Sequence, residues 1–158
     1  MGDNDALMTS SKSVFIAIAK SAADITATDL ANVFLNNGVW PVYAKSRNRR
    51  AIGAGDALII CTRQSSHVTT CWAHARVLSK REAKPTDFSE LQHMLMDIPA
   101  QTIQLAHIRR HEPILAKRIF QVAGTLPQNH RRWGVMLMGG FRKLRQREVK
   151  VYAELEQS

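Results

Sequence analysis

The chain has 158 residues, 45% of them hydrophobic, with 22 Lys and Arg against 13 Asp and Glu, for a formal charge of +9. That length suits one domain around one buried core, and that apolar content excludes wholesale disorder. No apolar run approaches the ~20 residues of a spanning helix, which argues against a membrane partner, while the charge points to polyanions, nucleic acid first.

Residues 1–11 are small and polar and read as a flexible terminus, leaving 12–158 as a single domain. Residues 12–20 predict a strand, because Val14, Phe15, Ile16 and Ile18 are β-prone between polar flanks. Residues 26–37 predict a short helix. Thr26 is placed to cap it with Asp29 three residues on, Leu30, Val33 and Phe34 follow at helical spacing, and Gly38 supplies the left-handed stop. Val39, Trp40 and Pro41 read as extended, since the proline drives Trp40 out of the helical region. Residues 47–50 are a basic loop. Gly53, Ala54, Gly55 and Asp56 predict a turn into an apolar strand at 57–62, and Ser65 with Ser66 a turn into a return strand at 68–78. There Cys71, Ala73, Ala75 and Val77 alternate with Trp72, His74 and Arg76, which puts the tryptophan opposite the small residues.

Residues 80–99 read as a polar excursion with a helical piece near 88–96, residues 101–110 as a strand, and 115–122 as a helix through Leu115, Ile119 and Val122. The segment 133–138 is apolar and bounded by Gly139 and Gly140. Residues 144–155 fit two patterns: Val149, Val151 and Ala153 alternate as in a strand, whereas Leu144, Val151 and Leu155 suit a helix. With no internal repeat, one α+β domain is the economical reading.

Charge is concentrated. From 107 to 150 the cations Arg109, Arg110, Lys117, Arg118, Arg131, Arg132, Arg142, Lys143, Arg145, Arg147 and Lys150 face only Glu112 and Glu148. Lys45, Arg47, Arg49 and Arg50 form a second cluster without an acid, and two such clusters suit the walls of one groove. The glycine turn lacks the third glycine and the lysine of phosphate-cradling loops. The histidines stand singly, without metal-ligand spacing, and no nucleophile elbow occurs, so neither catalytic residues nor a metal or cofactor is expected. Cys61 and Cys71 are too few for a disulfide framework and are expected to pack as small hydrophobes on paired strands. The first residues, with Asp3 and Asp5, show no leader pattern, and a cytoplasmic location is expected.

Four segments in order carry a family resemblance: Gly38-Val39-Trp40 after a short helix; Ile52 to Asp56 leading into Ala57-Leu58-Ile59-Ile60; Ala73-His74-Ala75-Arg76-Val77; and Pro113, Leu115 and Phe120 followed by Arg132-Trp133-Gly134 and Gly139. Together they resemble the EVE domain, a PUA-like fold related to the YTH readers of methylated adenine. The resemblance implies a small curved β-barrel of five to six strands with peripheral helices. It also implies recognition of a modified base, methylated cytosine or adenine foremost, in DNA or RNA. In YTH-type readers the tryptophan of the matching segment walls an aromatic cage, which makes Trp40 the expected stacking surface for a flipped base. Ser46 and Asn48 are the expected polar contacts to it, and Trp72 and Trp133 the expected further pocket residues. Lys45, Arg47, Arg49, Arg50, Arg109, Arg110, Arg131 and Arg132 are the expected phosphate contacts. A nuclease or ATPase effector, on the same or another chain, is the partner implied for such a targeting module in a modification-dependent restriction or defence system. Two other readings belong to the same fold: an ASCH-like amidohydrolase built on Lys45, Asp56 and Tyr43, and an RNA-binding accessory domain without base flipping.

Overall fold

In the computed structural model, the described residues are 11–19, 21, 24–65, 68–88, 98–127 and 140–157. In chain order they form β1 (Val14–Ala19), α1 (Ala27–Asn36), β2 (Val39–Val42), β3 (Ala57–Ser65), β4 (Val68–Glu82), β5 (Gln101–Leu115), α2 (Ala116–Ala123), β6 (Arg142–Lys143) and α3 (Gln146–Gln157). The strands make one six-stranded sheet in the order β2-β5-β4-β3-β1-β6. β1 and β3 pair in parallel, because α1 and β2 lie between them and give the chain the length a parallel crossover needs. The other pairs are antiparallel. Bulges interrupt β3 against β4 and recur along β4 against β5, and each adds local twist that curls the sheet into a half-barrel. The expected α+β architecture is the one observed.

Both faces of the sheet are covered, which explains the unbroken apolar run at the start of β3. On one face α1 sets Leu30, Phe34 and Leu35 against Phe15, Leu58, Ile60 and Ile103. On the other, Ile119 and Phe120 of α2 and Tyr152 of α3 cover Val14, Ile16, Ile59 and Ile114. α1 begins as its sequence predicts: the Asp29 amide donates to Thr26 Oγ1 at 3.1 Å, and Gly38 takes φ 66 after the last turn. The 144–155 ambiguity resolves as helix. Glu148 and Tyr152, four residues apart, share its buried side, and the Glu148 carboxylate takes the Arg145 amide at 2.7 Å and the Thr125 hydroxyl at 2.6 Å.

Three expectations are corrected. A bulge against β3, where Ile60 pairs with Ala73 and Cys61 with Cys71, leaves Trp72 as an extra residue of β4, so it lies in the same cluster as Ala73, Ala75 and Val77 instead of opposite them. β4 does not end near 78: Ser79 to Glu82 stay paired with Gln104 to Gln101, so polar side chains there sit on a ladder and not in an excursion. Cys61 and Cys71 are direct cross-strand partners joined by a disulfide, and not two free thiols. The terminus at 1–10, Ser66, the helical piece at 88–96 apart from Phe88, and the segment 133–138 lie outside the described residues. Among the described residues no helix is long and apolar enough to cross a membrane.

Candidate nucleic-acid interface

The basic loop after β2 is held in one conformation by its own polar groups. Tyr43 donates its amide to Ser46 Oγ at 3.3 Å, and Ser46 donates its amide to the Tyr43 carbonyl at 3.0 Å. Asn48 adopts φ 61, a left-handed conformation that asparagine tolerates, and its carbonyl accepts from the Ala51 and Ile52 amides. Buried Ile52 anchors the far end, while Lys45, Arg47, Asn48 and Arg50 are exposed. Lys80 Nζ donates to the Arg49 carbonyl at 2.5 Å, tying the loop to β4.

The same loop is clipped to the residues that lead into β6. Arg47 and Gly140 form a parallel bridge, the Phe141 amide donates to the Arg47 carbonyl at 3.0 Å, and Asn48 Nδ2 donates to the Phe141 carbonyl at 2.7 Å. Gly140 makes this approach feasible: with φ 131, a Cβ there would collide with the Arg47 nitrogen. The clip delivers Arg47 to Arg142 and Arg145. Burial pulls the Arg142 pKa down, and the charges of Arg47 and Arg145 pull the same way, against Glu148. The two basic clusters of the sequence therefore meet at this point.

Ser46 and Asn48 thus hold the loop together with their side chains. Arg109 reaches Glu156 at 3.4 Å, and Arg110 donates to the side-chain oxygens of Asn32 and Asn36 on α1, at 3.1 and 3.0 Å. Those two cations brace β5 against α3 and α1. Arg131, Arg132 and Trp133 lie outside the described residues.

Trp40 is 4% exposed and meets Phe34 edge-on at 5.2 Å between ring centres; Phe88 meets Phe34 at 5.7 Å. In this structure the indole packs in the core and forms no open stacking wall, because Phe34 of α1 packs against it and Phe88 packs on Phe34. Phe88 is set there by its neighbour. The Asp87 carboxylate takes both guanidinium nitrogens of Arg81, the Lys84 amide and the Thr102 hydroxyl, and these donors, Arg81 first, hold its pKa well below the usual range. Trp72 is also buried, with Nε1 donating to Thr62 Oγ1 at 3.1 Å.

Of the residues proposed for a hydrolase, Asp56 is buried and its Oδ2 caps the turn by accepting the Gly53 amide at 2.8 Å. Burial lowers the Lys80 pKa and Asp56 partly restores it, while Lys45 is exposed on its loop. Sequence reasoning did not single out the cations of β6 and α3, although the charge count contained them; their periodicity carried no sign of which ones stay exposed.

Alignment of this backbone with solved structures finds a crystal structure of human THYN1 protein in complex with 5-methylcytosine containing DNA. The TM-score is 0.59 at 13% identity, over 93% of this chain and 99% of that one. The fold is PUA-like. No protein-family profile matches the chain, and no curated protein sequence does. What the match covers is a curled six-stranded sheet with α1 on one face and α2 and α3 on the other.

Proposed function

We propose that this chain is a nucleic-acid-binding reader of the EVE type that recognises a methylated base, 5-methylcytosine first and methylated adenine second. The observation that carries the reading is the shared fold with a protein solved on 5-methylcytosine DNA, in a chain of charge +9 whose two basic clusters converge on one clip. Lys45, Arg47 and Arg50 seat the phosphates, and the base is read near Trp40 after the side chains packed around it give way. Recognition needs no cofactor. A nuclease or ATPase effector is the fitting partner for such a module.

A second reading, backbone binding without base insertion, is favoured by the burial of both Trp40 and Trp72. The two separate in one titration of matched methylated and unmethylated oligonucleotides, followed by tryptophan fluorescence and by affinity. Trp40→Ala is a poor probe, because emptying a buried indole site costs about 3–5 kcal/mol and confuses binding with folding. Trp40→Phe leaves a smaller void, at about 1 kcal/mol, and is the variant to use. The reader predicts tighter binding of the methylated strand and a reduced preference in Trp40→Phe under conditions where it remains folded. Equal affinity for both strands would overturn it in favour of plain backbone binding.

A further inference from the structure

A groove of about 1100 Å³ runs between the lead-in to β1 and the exposed side of α3. Val14, Leu144, Val149 and Ala153 contribute apolar surface to it, and Lys12, Lys143, Arg145, Arg147 and Lys150 contribute positive charge, against the single carboxylate of Glu154. Other cations of the protein are committed: Arg81 to Asp87, Arg109 to Glu156, Arg110 to two asparagines. Among the described residues, the side chains of Lys143, Arg147 and Lys150 make no hydrogen bond or ion pair. The strand that supplies Lys143 and leads on to Arg145 follows directly from the Gly140–Phe141 segment clipped to Arg47, so the groove and the basic loop are neighbours along one edge.

We propose that this groove is a second nucleic-acid contact, which takes the sugar-phosphate backbone of the unpaired strand flanking the base that is read. Lys143, Arg147 and Lys150 meet successive phosphates and the apolar floor lies under the sugars, the electrostatic part of how single strands are held without sequence preference. The inference deepens the reading above and rests on it for the identity of the polymer. Phosphate chemistry is shared with free nucleotides, so the test includes a mononucleotide arm.

The experiment compares wild type with the double variant Lys143→Gln, Lys150→Gln, and with a control, Lys117→Gln, Arg118→Gln, which removes equal charge from α2 outside the groove. Affinities for a single strand carrying one 5-methylcytosine, and for its unmethylated twin, are measured across a salt series. Loss of two phosphate contacts lowers the slope of log affinity on log salt by about 1.4 for a single strand. The expected result is that fall in the groove variant, equal for both strands, with a smaller or no change in the control. An unchanged slope in the groove variant, or an equal fall in the control, overturns the groove. Competition by a mononucleotide at concentrations comparable to the oligonucleotide overturns the polymer assignment. A methylated-to-unmethylated ratio near one, with the slope change intact, overturns the modified-base reading and leaves the groove standing. If wild type binds neither strand, both fall.

Discussion

Gly140→Ala gives the sharpest test of how this surface is built. A Cβ at residue 140 would collide with the Arg47 nitrogen and lie 2.8 Å from its oxygen and 2.9 Å from the Ser46 carbonyl carbon, all backbone atoms that no rotamer change can move. At φ 131 the alanine also enters a region nearly reserved for glycine, at about 1–3 kcal/mol. Relief comes by separating the loop from the lead-in to β6, which breaks the Phe141-to-Arg47 and Asn48-to-Phe141 hydrogen bonds at about 0.5–1.5 kcal/mol each. A loss of about 2–6 kcal/mol follows from these contributions. Urea unfolding of Gly140→Ala beside Gly53→Ala measures it. At Gly53 an added methyl would meet no atom within 4 Å and φ is not positive, so its alanine is expected to be neutral or slightly stabilising. If the clip joins the two basic clusters, Gly140→Ala also weakens oligonucleotide binding under conditions where it remains folded. A Gly140→Ala protein within about 0.5 kcal/mol of wild type, with unchanged binding, would refute the reasoning.

Three further outcomes are expected. Glu148→Ala orphans the Arg145 amide and the Thr125 hydroxyl in a buried site, so thermal and urea unfolding should show a loss of about 2–4 kcal/mol, partly recovered by Glu148→Gln. His74 is fully buried, and desolvation, then the charges of His111 and Arg109, lower its pKa from 6.5 to about 4. Between those values the unfolded chain binds a proton the native one refuses, so the stability is complete above pH 6.5 and is lost as pH falls towards 4, by about 3 kcal/mol at most. Stability–pH profiles of wild type and His74→Phe should diverge across that window, and parallel profiles would exclude the assignment. Reducing the Cys61–Cys71 disulfide, which spans a sequence separation of 10, should lower stability by about 2–3 kcal/mol, with no reductant effect in the Cys61→Ser, Cys71→Ser double variant.

A neighbouring polar cluster shows how little of such detail local pattern carries. The His111 ring bridges two groups: Nδ1 donates to the Glu112 carbonyl at 2.8 Å, because a carbonyl only accepts, and Nε2 lies 2.6 Å from the Tyr152 hydroxyl. Burial raises the Tyr152 pKa well above its ordinary value, which keeps that proton in place. The partners come from β5 and α3, separated by forty-one positions, and nothing in either segment announces the pairing.

Most strand and helix positions were readable from the residues, because capping by Thr26, the stop at Gly38 and the turn at 53–56 act within a few residues of themselves. Net charge and its two clusters were readable for the same reason: they are sums over composition. The facing of Trp72 was not, since a bulge shifts the alternation of the strand that carries it, and this one is set by the pairing of β4 with β3. Nor was the burial of Trp40, which depends on Phe34 and on an Asp87 anchor brought in from another strand's end. The meeting of Arg47 with Arg142, and the division of cations into those braced by partners and those left facing a groove, belong to the tertiary structure. They arise from contacts such as the Asn48 side-chain hydrogen bond to the Phe141 carbonyl, across ninety-three positions, a distance over which no local sequence rule operates.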